Sequence, residues 1–382
     1  MRNNKYLFKD GWPTAGMVSV SQLQSFMSCP KKWEYGYIEN LTPRVERPYL
    51  SVGKLCHKGM ESAMYVVWHA GTVFGAGMHD RPQIYINAKA DGLKAMEKEW
   101  QEHMANNAYL EEEIPAQEQI LADAKSVFSQ AFDEFGPQKY RVLSVWKNGK
   151  EIPALELHFA VPCAGAKGLH GYIDAIVQDT TTGSVWCTDY KFRKSLSPDD
   201  EEAVNIQNAV YMYACSKLKI PVTGTMTWQH CNTPAADPAI LKSGQVSRAK
   251  IKTTWAHFVA FCKKHKVDPT DYAEEMQEKL ADIEWYRATY EYRNPETVNR
   301  IWNEIVVPAS YAVKSAHTNA QKNRRNPRHM YPWNCKMCQF QSLCLAELRG
   351  HDADFLRRTE YVTREGRGEK TNMEGQNHEN DN

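Results

Sequence analysis

Apolar side chains recur with two different rhythms along these 382 residues. In the first third the spacing is helical. Leu23, Phe26 and Met27 form a stripe behind Ser21, which reads as a helix N-cap, and further helices are predicted over 52–68, 82–104 and 116–135. From about residue 154 the rhythm changes to period two. "ALELHFAVP", "GLHGYIDAIVQD" and "SVWCTDYKF" read as three strands, the last two joined by the turn "TTTG". "DDEEAVNIQNAVYMYACSKL" reads as one amphipathic helix and "VTGTMTWQHC" as a fourth strand. Helical spacing returns from Thr253, in "TTWAHFVAFCKKH" and "ETVNRIWNEIVVPASYAV". The end, "TREGRGEKTNMEGQNHENDN", is almost free of apolar residues and is expected to be disordered. No internal repeat is visible. This order suits an α/β fold, a small mixed sheet wrapped by helical arms, rather than a doubly wound sheet. The expected divisions are an N-terminal helical arm over 1–150, a core over 151–235, a C-terminal helical region over 236–364 and a tail over 365–382.

Composition narrows the class without naming it. At 42% hydrophobic, 24% charged and 11% aromatic, the chain resembles an ordinary soluble enzyme long enough to bury a sizeable core. No apolar run approaches the ~20 residues needed to cross a bilayer. The start, "MRNNKYLFKDGWPTAG", lacks an apolar signal core, so a cytoplasmic location is expected. A net charge of +1, from 47 basic and 46 acidic residues, excludes a binder that works by bulk charge but leaves room for a local basic channel. The densest basic stretch, "QKNRRNPRHM", reads either as a solvated loop or as a phosphate-contacting arm. No "GxxxxGK[ST]" phosphate loop occurs, so any motor, such as a helicase, would be a separate partner.

The strand "SVWCTDYKF" carries the most pointed chemistry. Asp189 and Lys191 are two positions apart, so they share a face about 7 Å from each other. Charges buried there need partners. The turn at 180–183 makes the preceding strand antiparallel and brings Asp174 near Asp189. Two carboxylates brought together repel, and a hard divalent cation such as Mg²⁺ or Mn²⁺ would relieve them. Lys191 beside it could orient or deprotonate a water, or stabilise charge developing on phosphorus. A surface ion pair accounts equally well for Asp-x-Lys taken alone. Glu156, one strand upstream, reads either as a further ligand or as a surface residue of an edge strand. Gln207 and Tyr211, at i and i+4, share a helix face and could hold a DNA phosphate or base, or simply flank the helix. His57, alone on its helix, reads as structural.

Taken in order, Gly171-Tyr172-Ile173-Asp174, Asp189-Tyr190-Lys191 and Gln207-x-x-x-Tyr211 resemble the PD-(D/E)XK nuclease superfamily, and more narrowly its RecB-type exonuclease branch. Gly53-Lys54-Leu55-Cys56-His57 matches the branch's upstream Gly-x-x-x-His helix, and "SVSQLQSFMSCPKKWEYGYI" is similar to its N-terminal segment. The resemblance implies a restriction-endonuclease-like core in which His57, Asp174, Asp189 and the Tyr190 carbonyl ligate Mg²⁺ or Mn²⁺. Lys191 would activate the attacking water, and Gln207 with Tyr211 would complete the site. Glu156 matches a glutamate frequent in the strand before the first aspartate. The first aspartate here follows Ile173 rather than a proline, a departure usual in that branch.

Ten cysteines are too few for a disulfide scaffold at this length. "CKMCQFQSLC" places Cys335, Cys338 and Cys344 in Cys-x2-Cys-x5-Cys spacing, one thiolate short of four-coordination. Cys29 of "SCPKKW" is the candidate fourth, and it would tie the two helical arms together at a metal cluster. Four thiolates suit tetrahedral zinc or a 4Fe–4S cluster, and spacing leaves both open. One distant cysteine before a C-terminal triplet resembles the iron–sulfur nucleases of the RecB-type branch, among them the AddB subunits and the CRISPR-associated single-strand exonucleases. That implies a 4Fe–4S cluster of structural role. Cys56, Cys163, Cys187, Cys215, Cys231 and Cys262 sit among apolar neighbours and read as core residues. The expectation is a metal-dependent DNA exonuclease acting on single strands or duplex ends, in recombination, repair or the DNA processing of phages and mobile elements. A structure-specific endonuclease of the same fold, or a non-catalytic metal-stabilised nucleic-acid-binding protein, are the alternatives.

Overall fold

The computed structural model describes residues 16–44, 48–75, 81–105, 109, 111–147, 149–322 and 324–363. The expected tail over 365–382 lies outside them. β1 (Val18–Ser19) leads into α1 (Val20–Ser28), whose cap is Ser19 rather than Ser21. The Ser19 hydroxyl accepts from the Gln22 N–H, and the Gln22 side chain accepts from the Ser19 N–H, so two N–H groups at this helix start are satisfied. α2 (Pro30–Trp33) and β2 (Leu41–Pro43) follow, then α3 (Pro48–Phe74), α4 (Pro82–Ala105) and α5 (Ile114–Phe135).

Strands come next: β3 (Tyr140–Val142), β4 (Ser144–Lys147), β5 (Lys150–Pro153), β6 (Leu155–Val161), β7 (Leu169–Asp179) and β8 (Val185–Arg193). The single helix expected over 199–218 is two, α6 (Asp199–Ala203) and α7 (Ile206–Leu218). Asn205 breaks them, because its extended backbone and its side chain, which accepts from the Gln207 N–H at 3.0 Å, start a new helix. β9 (Gly224–Cys231), α8 (Trp255–Lys264) and α9 (Ala273–Leu280) precede β10 (Tyr286–Glu291), a strand inside a region whose spacing reads as helical. The helix expected over 296–313 is α10 (Pro295–Ile301) and α11 (Val307–Gln321), joined by a π-helical turn at Trp302–Val306. Pro308, which lacks an N–H, sits two residues past that widened turn, in the first turn of α11. α12 (Pro332–Lys336), α13 (Gln341–Arg349), α14 (Ala353–Glu360) and β11 (Tyr361–Thr363) complete the described chain.

β7 organises the mixed sheet. Its first half pairs antiparallel with β6 and parallel with β1, and its second half pairs antiparallel with β3 and β8. β9 then adds parallel to β8, and β10 adds antiparallel to β9. α3, α4 and α5 cover one face, burying Phe128, Phe132, Phe135 and Trp228. α1, α7 and the α10–α11 helix cover the other, around Leu23, Phe159, Val210 and Trp302. The expected α/β sandwich of a small mixed sheet between helices is therefore the observed one. The two arms meet where β2 pairs with β11, Leu41 opposite Thr363, and where Tyr35 packs on Phe340.

α3 and α4 cross at a pair of glycines. A Cβ placed at Gly92 would stand 2.7 Å from the Gly59 carbonyl oxygen, well inside van der Waals contact, and would also press on the Phe128 ring. Gly92→Ala is therefore expected to push the helices apart and lower stability by about 1–3 kcal/mol, read as an earlier urea midpoint. An unchanged midpoint would mean that the crossing has slack.

Candidate active site

Two strands slip out of alternation at the same level. On β6, Leu157, Phe159 and Val161 face the α7 side, whereas Leu155 packs on the α3–α5 side. On β7, Leu169 and Ile173 face the α7 side, whereas Ala175 and Val177 face the other. The residues at the two slips, Glu156 and Asp174, stand opposite each other in the register that pairs Leu155 with Ala175 and Leu157 with Ile173. Glu156 takes φ +42°, a left-handed backbone that costs a non-glycine residue about 1–2 kcal/mol. The irregularity gathers acidic groups beside α3. The His57 Nδ1 is 3.5 Å from the Asp174 Oδ2, and single ligand atoms of His57, Glu156 and Asp174 all lie within 4.8 Å of one another.

The β7–β8 register, carried one step past Ala175 opposite Thr188, sets Asp189 against Asp174. The Tyr190 N–H donates to the Asp174 Oδ2 at 2.8 Å and fixes that carboxylate. Asp189 is not a surface residue, being only 2% exposed. The Lys191 Nζ lies 2.7 Å from both of its oxygens, and the Gln207 Nε2 donates to Oδ1 at 3.2 Å and to the Tyr211 hydroxyl. Oδ2 is met by Lys191 at a poor angle and has no hydrogen-bond partner. The buried Asp189 is thus paired with a half-buried Lys191 and braced by Gln207 from the first turn of α7, with the sequence-predicted Tyr211 holding Gln207 in turn.

The electrostatics are strained in one direction. Burial, then Asp174 and Glu61, push the Glu156 carboxyl well above the usual carboxylate range. Burial also pushes Asp189 up, against the pull of Lys191 and with a further push from Asp174. Burial pulls the Lys191 ammonium down, but Asp189 and Asp174 outweigh it and hold the amine above its ordinary range. Burial keeps the Tyr211 hydroxyl protonated. Carboxylates raised by one another's presence in a half-buried pocket are a site short of positive charge.

His57, Glu156, Asp174 and Lys191 open onto a cleft of about 740 Å³ whose wall includes Lys54, Lys58 and Glu61 of α3, Glu99 of α4 and, at the end of the Asp-x-Lys strand, Arg193 and Lys194. The sequence reading passed over the α3 residues. Lys54, His57, Lys58 and Glu61 follow i, i+3, i+4, i+7, a polar stripe on an otherwise apolar helix that marks the face turned to the cleft.

The four singled-out cysteines also converge. Cys29, Cys335, Cys338 and Cys344 line one pocket between the arms, together with His329 and Arg328. The His329 N–H points at the Cys29 sulfur at 3.4 Å, and the Arg328 Nε at the Cys344 sulfur at 3.3 Å. Burial raises the Cys338 thiol. Among the described residues, no three of these sulfurs come within 4.8 Å of one another. The six remaining cysteines are buried and free, as core residues should be.

A family model of the PD-(D/E)XK nuclease superfamily matches residues 17–345, from β1 through the last cysteine of the triplet. The chain belongs to that superfamily. A search of the curated proteins finds no match. Membership supports a metal-dependent nuclease acting on DNA, and PD-(D/E)XK nucleases generally use Mg²⁺ or Mn²⁺. The oxygen-rich His57–Glu156–Asp174 group, with its raised glutamate, fits such an ion.

This crowding predicts opposite effects on stability and on cation binding. Glu156→Gln is expected to leave the metal-free nuclease at least as heat-stable as the native chain, because a disfavoured charge is gone. The rise in unfolding temperature that Mn²⁺ gives the native chain should shrink. Thermal scans with and without Mn²⁺ check both, and an undiminished Mn²⁺ shift would count against a ligand role for Glu156.

Proposed function

We propose that this PD-(D/E)XK nuclease is a Mg²⁺- or Mn²⁺-dependent deoxyribonuclease that trims single-stranded DNA or duplex ends as an exonuclease. The observation that carries the reading is the meeting of His57, Glu156 and Asp174 within 4.8 Å of one another, next to a buried Asp189–Lys191 pair. The resemblance to the RecB-type branch supports the exonuclease assignment and a setting in recombination, repair or mobile-element DNA processing.

His57, Glu156 and Asp174 would hold the cation, and Asp189 with the Tyr190 carbonyl would complete the set that the resemblance implies. A divalent ion of this class supplies charge stabilisation at phosphoryl oxygens and acidifies a water. The protein's own groups do the positioning. The Tyr190 N–H fixes the Asp174 carboxylate. Lys191, held by Asp189 at the cleft wall, presents its ammonium to the attacking water or to a phosphoryl oxygen as charge grows there. Gln207 keeps Asp189 from turning away, and Tyr211 holds Gln207.

We assign the four-cysteine pocket to a 4Fe–4S cluster rather than to zinc. The reading rests on the resemblance of one distant cysteine before a C-terminal triplet to the iron–sulfur nucleases of the RecB-type branch. The N–H donors of His329 and Arg328 suit anionic sulfurs. Its role would be structural.

With Mn²⁺ or Mg²⁺, the purified protein should degrade linear single-stranded DNA to short products and leave a closed single-stranded circle intact. Asp189→Ala and Lys191→Ala should each cut the rate by about 10³-fold or more, with the circular-dichroism spectrum unchanged. Full activity in both variants would remove the nuclease assignment, and cleavage of the circle would make the enzyme an endonuclease.

Protein purified without oxygen should be brown, with broad absorbance near ~400 nm. Cys335→Ser or Cys29→Ser should bleach it. A colourless, zinc-loaded native protein would overturn the cluster assignment.

A further inference from the structure

α12 has two working faces. Asn334 and Cys335 turn to the thiol pocket. Trp333, and Met337 four residues on at the helix C-cap and still in helical backbone, share a side; neither lines that pocket, and Met337 lines the catalytic cleft. Trp333 is 73% exposed, Met337 63% and Tyr331 60%. Large apolar side chains left in water along one short stretch, one of them in the cleft wall, mark a binding surface.

Charge says what it binds. Residues 305–346 contain no aspartate or glutamate, in a chain with 46 acidic against 47 basic residues as a whole. Within that run Arg324, Arg325 and Lys336 are exposed. A cationic stretch that also presents an aromatic ring suits a polyanion whose bases are unstacked. A duplex covers its base faces with neighbouring pairs, whereas a single strand offers each base to a ring.

We infer that Trp333, flanked by Tyr331 and Met337, is a stacking platform for single-stranded DNA at the mouth of the catalytic cleft, and that Arg324 and Arg325 contact its phosphates. The inference rests on the proposed nuclease reading for the direction of the strand, but not for its binding.

The test measures binding without added divalent metal, so that no cleavage is needed. A fluorescein-labelled oligo-dT is titrated with the full-length protein and followed by anisotropy. Trp333→Ala should weaken binding about tenfold, and Trp333→Phe, which keeps a ring, about twofold or less. Both should keep the native unfolding temperature. Arg324→Ala combined with Arg325→Ala should lower the salt dependence of binding, whereas Trp333→Ala should leave that slope unchanged. A blunt DNA hairpin should bind the native chain more weakly and be less sensitive to Trp333→Ala. Native affinity of Trp333→Ala for oligo-dT would overturn the proposal and leave the face to a protein partner. So would equal losses on oligo-dT and hairpin. If the tenfold loss appears in a protein that cleaves nothing with Mn²⁺, the platform stands and the nuclease reading falls.

Discussion

Like-charge crowding at the junction of β6, β7 and β8 is the constraint on which the structure turns. Glu156 and Asp174 face each other across a strand pair, and Asp189 is buried beside them. The Lys191 ammonium is hydrogen-bonded to Asp189, and its charge reaches Asp174 as well. A cluster this short of positive charge is expensive in a low-dielectric pocket, and the raised carboxyls of Glu156 and Asp189 express that cost. A protein selected only for stability would replace such acids with apolar groups. Their presence where the strands leave regular geometry argues that a cation completes the site.

The fold supplies rigidity at that point. β7 is paired on both edges at Leu169–His170 and again from Ala175, so the slip at Asp174 is held between hydrogen-bonded stretches rather than at a loose end. α3 brings His57 from the other side, and its seating depends on the close glycine crossing with α4. α7 begins at Asn205, which puts Gln207 in its first turn, where it reaches Asp189. Had α6 and α7 been one straight helix, the residues after the break would point elsewhere.

Much of this was legible from residue order. Period-two stretches located β6 to β9, the Asp-x-Lys strand located the chemistry, and i, i+4 spacing put Gln207 and Tyr211 on one face. What escaped has physical causes. β3, β4 and β5 are too short to show a period, and β10 mixes tyrosines with charged residues in a segment flanked by helices. The Asn205 break looked like helix continuation because its cap is a local hydrogen bond that apolar periodicity does not register. Glu156 was ambiguous because its orientation comes from a slipped strand. The loop between β6 and β7 nevertheless implied it, since a hairpin closing around residue 165 places 156 against 174. Superfamily membership adds the metal-dependent chemistry, whereas the roles of single residues rest on geometry.

The thiol pocket and the cleft share one short element. α12 has five residues, too few to hold a helical shape by its own hydrogen bonds. The arms themselves do not need the thiols to stay together. β2 pairs with β11, Arg357 bridges to Glu39 at 2.9 Å, and Glu347 gathers Lys31, Arg328 and Arg357. What those ties leave aside is α12, which lies between the pocket and the cleft and carries Cys335, with Cys338 just past its end. A centre that joined the four sulfurs would therefore act less as a rivet for the whole fold than as a mount for Trp333 and Met337. On that arrangement, losing the centre should loosen the grip on the strand before it disturbs the carboxylates on β7 and β8.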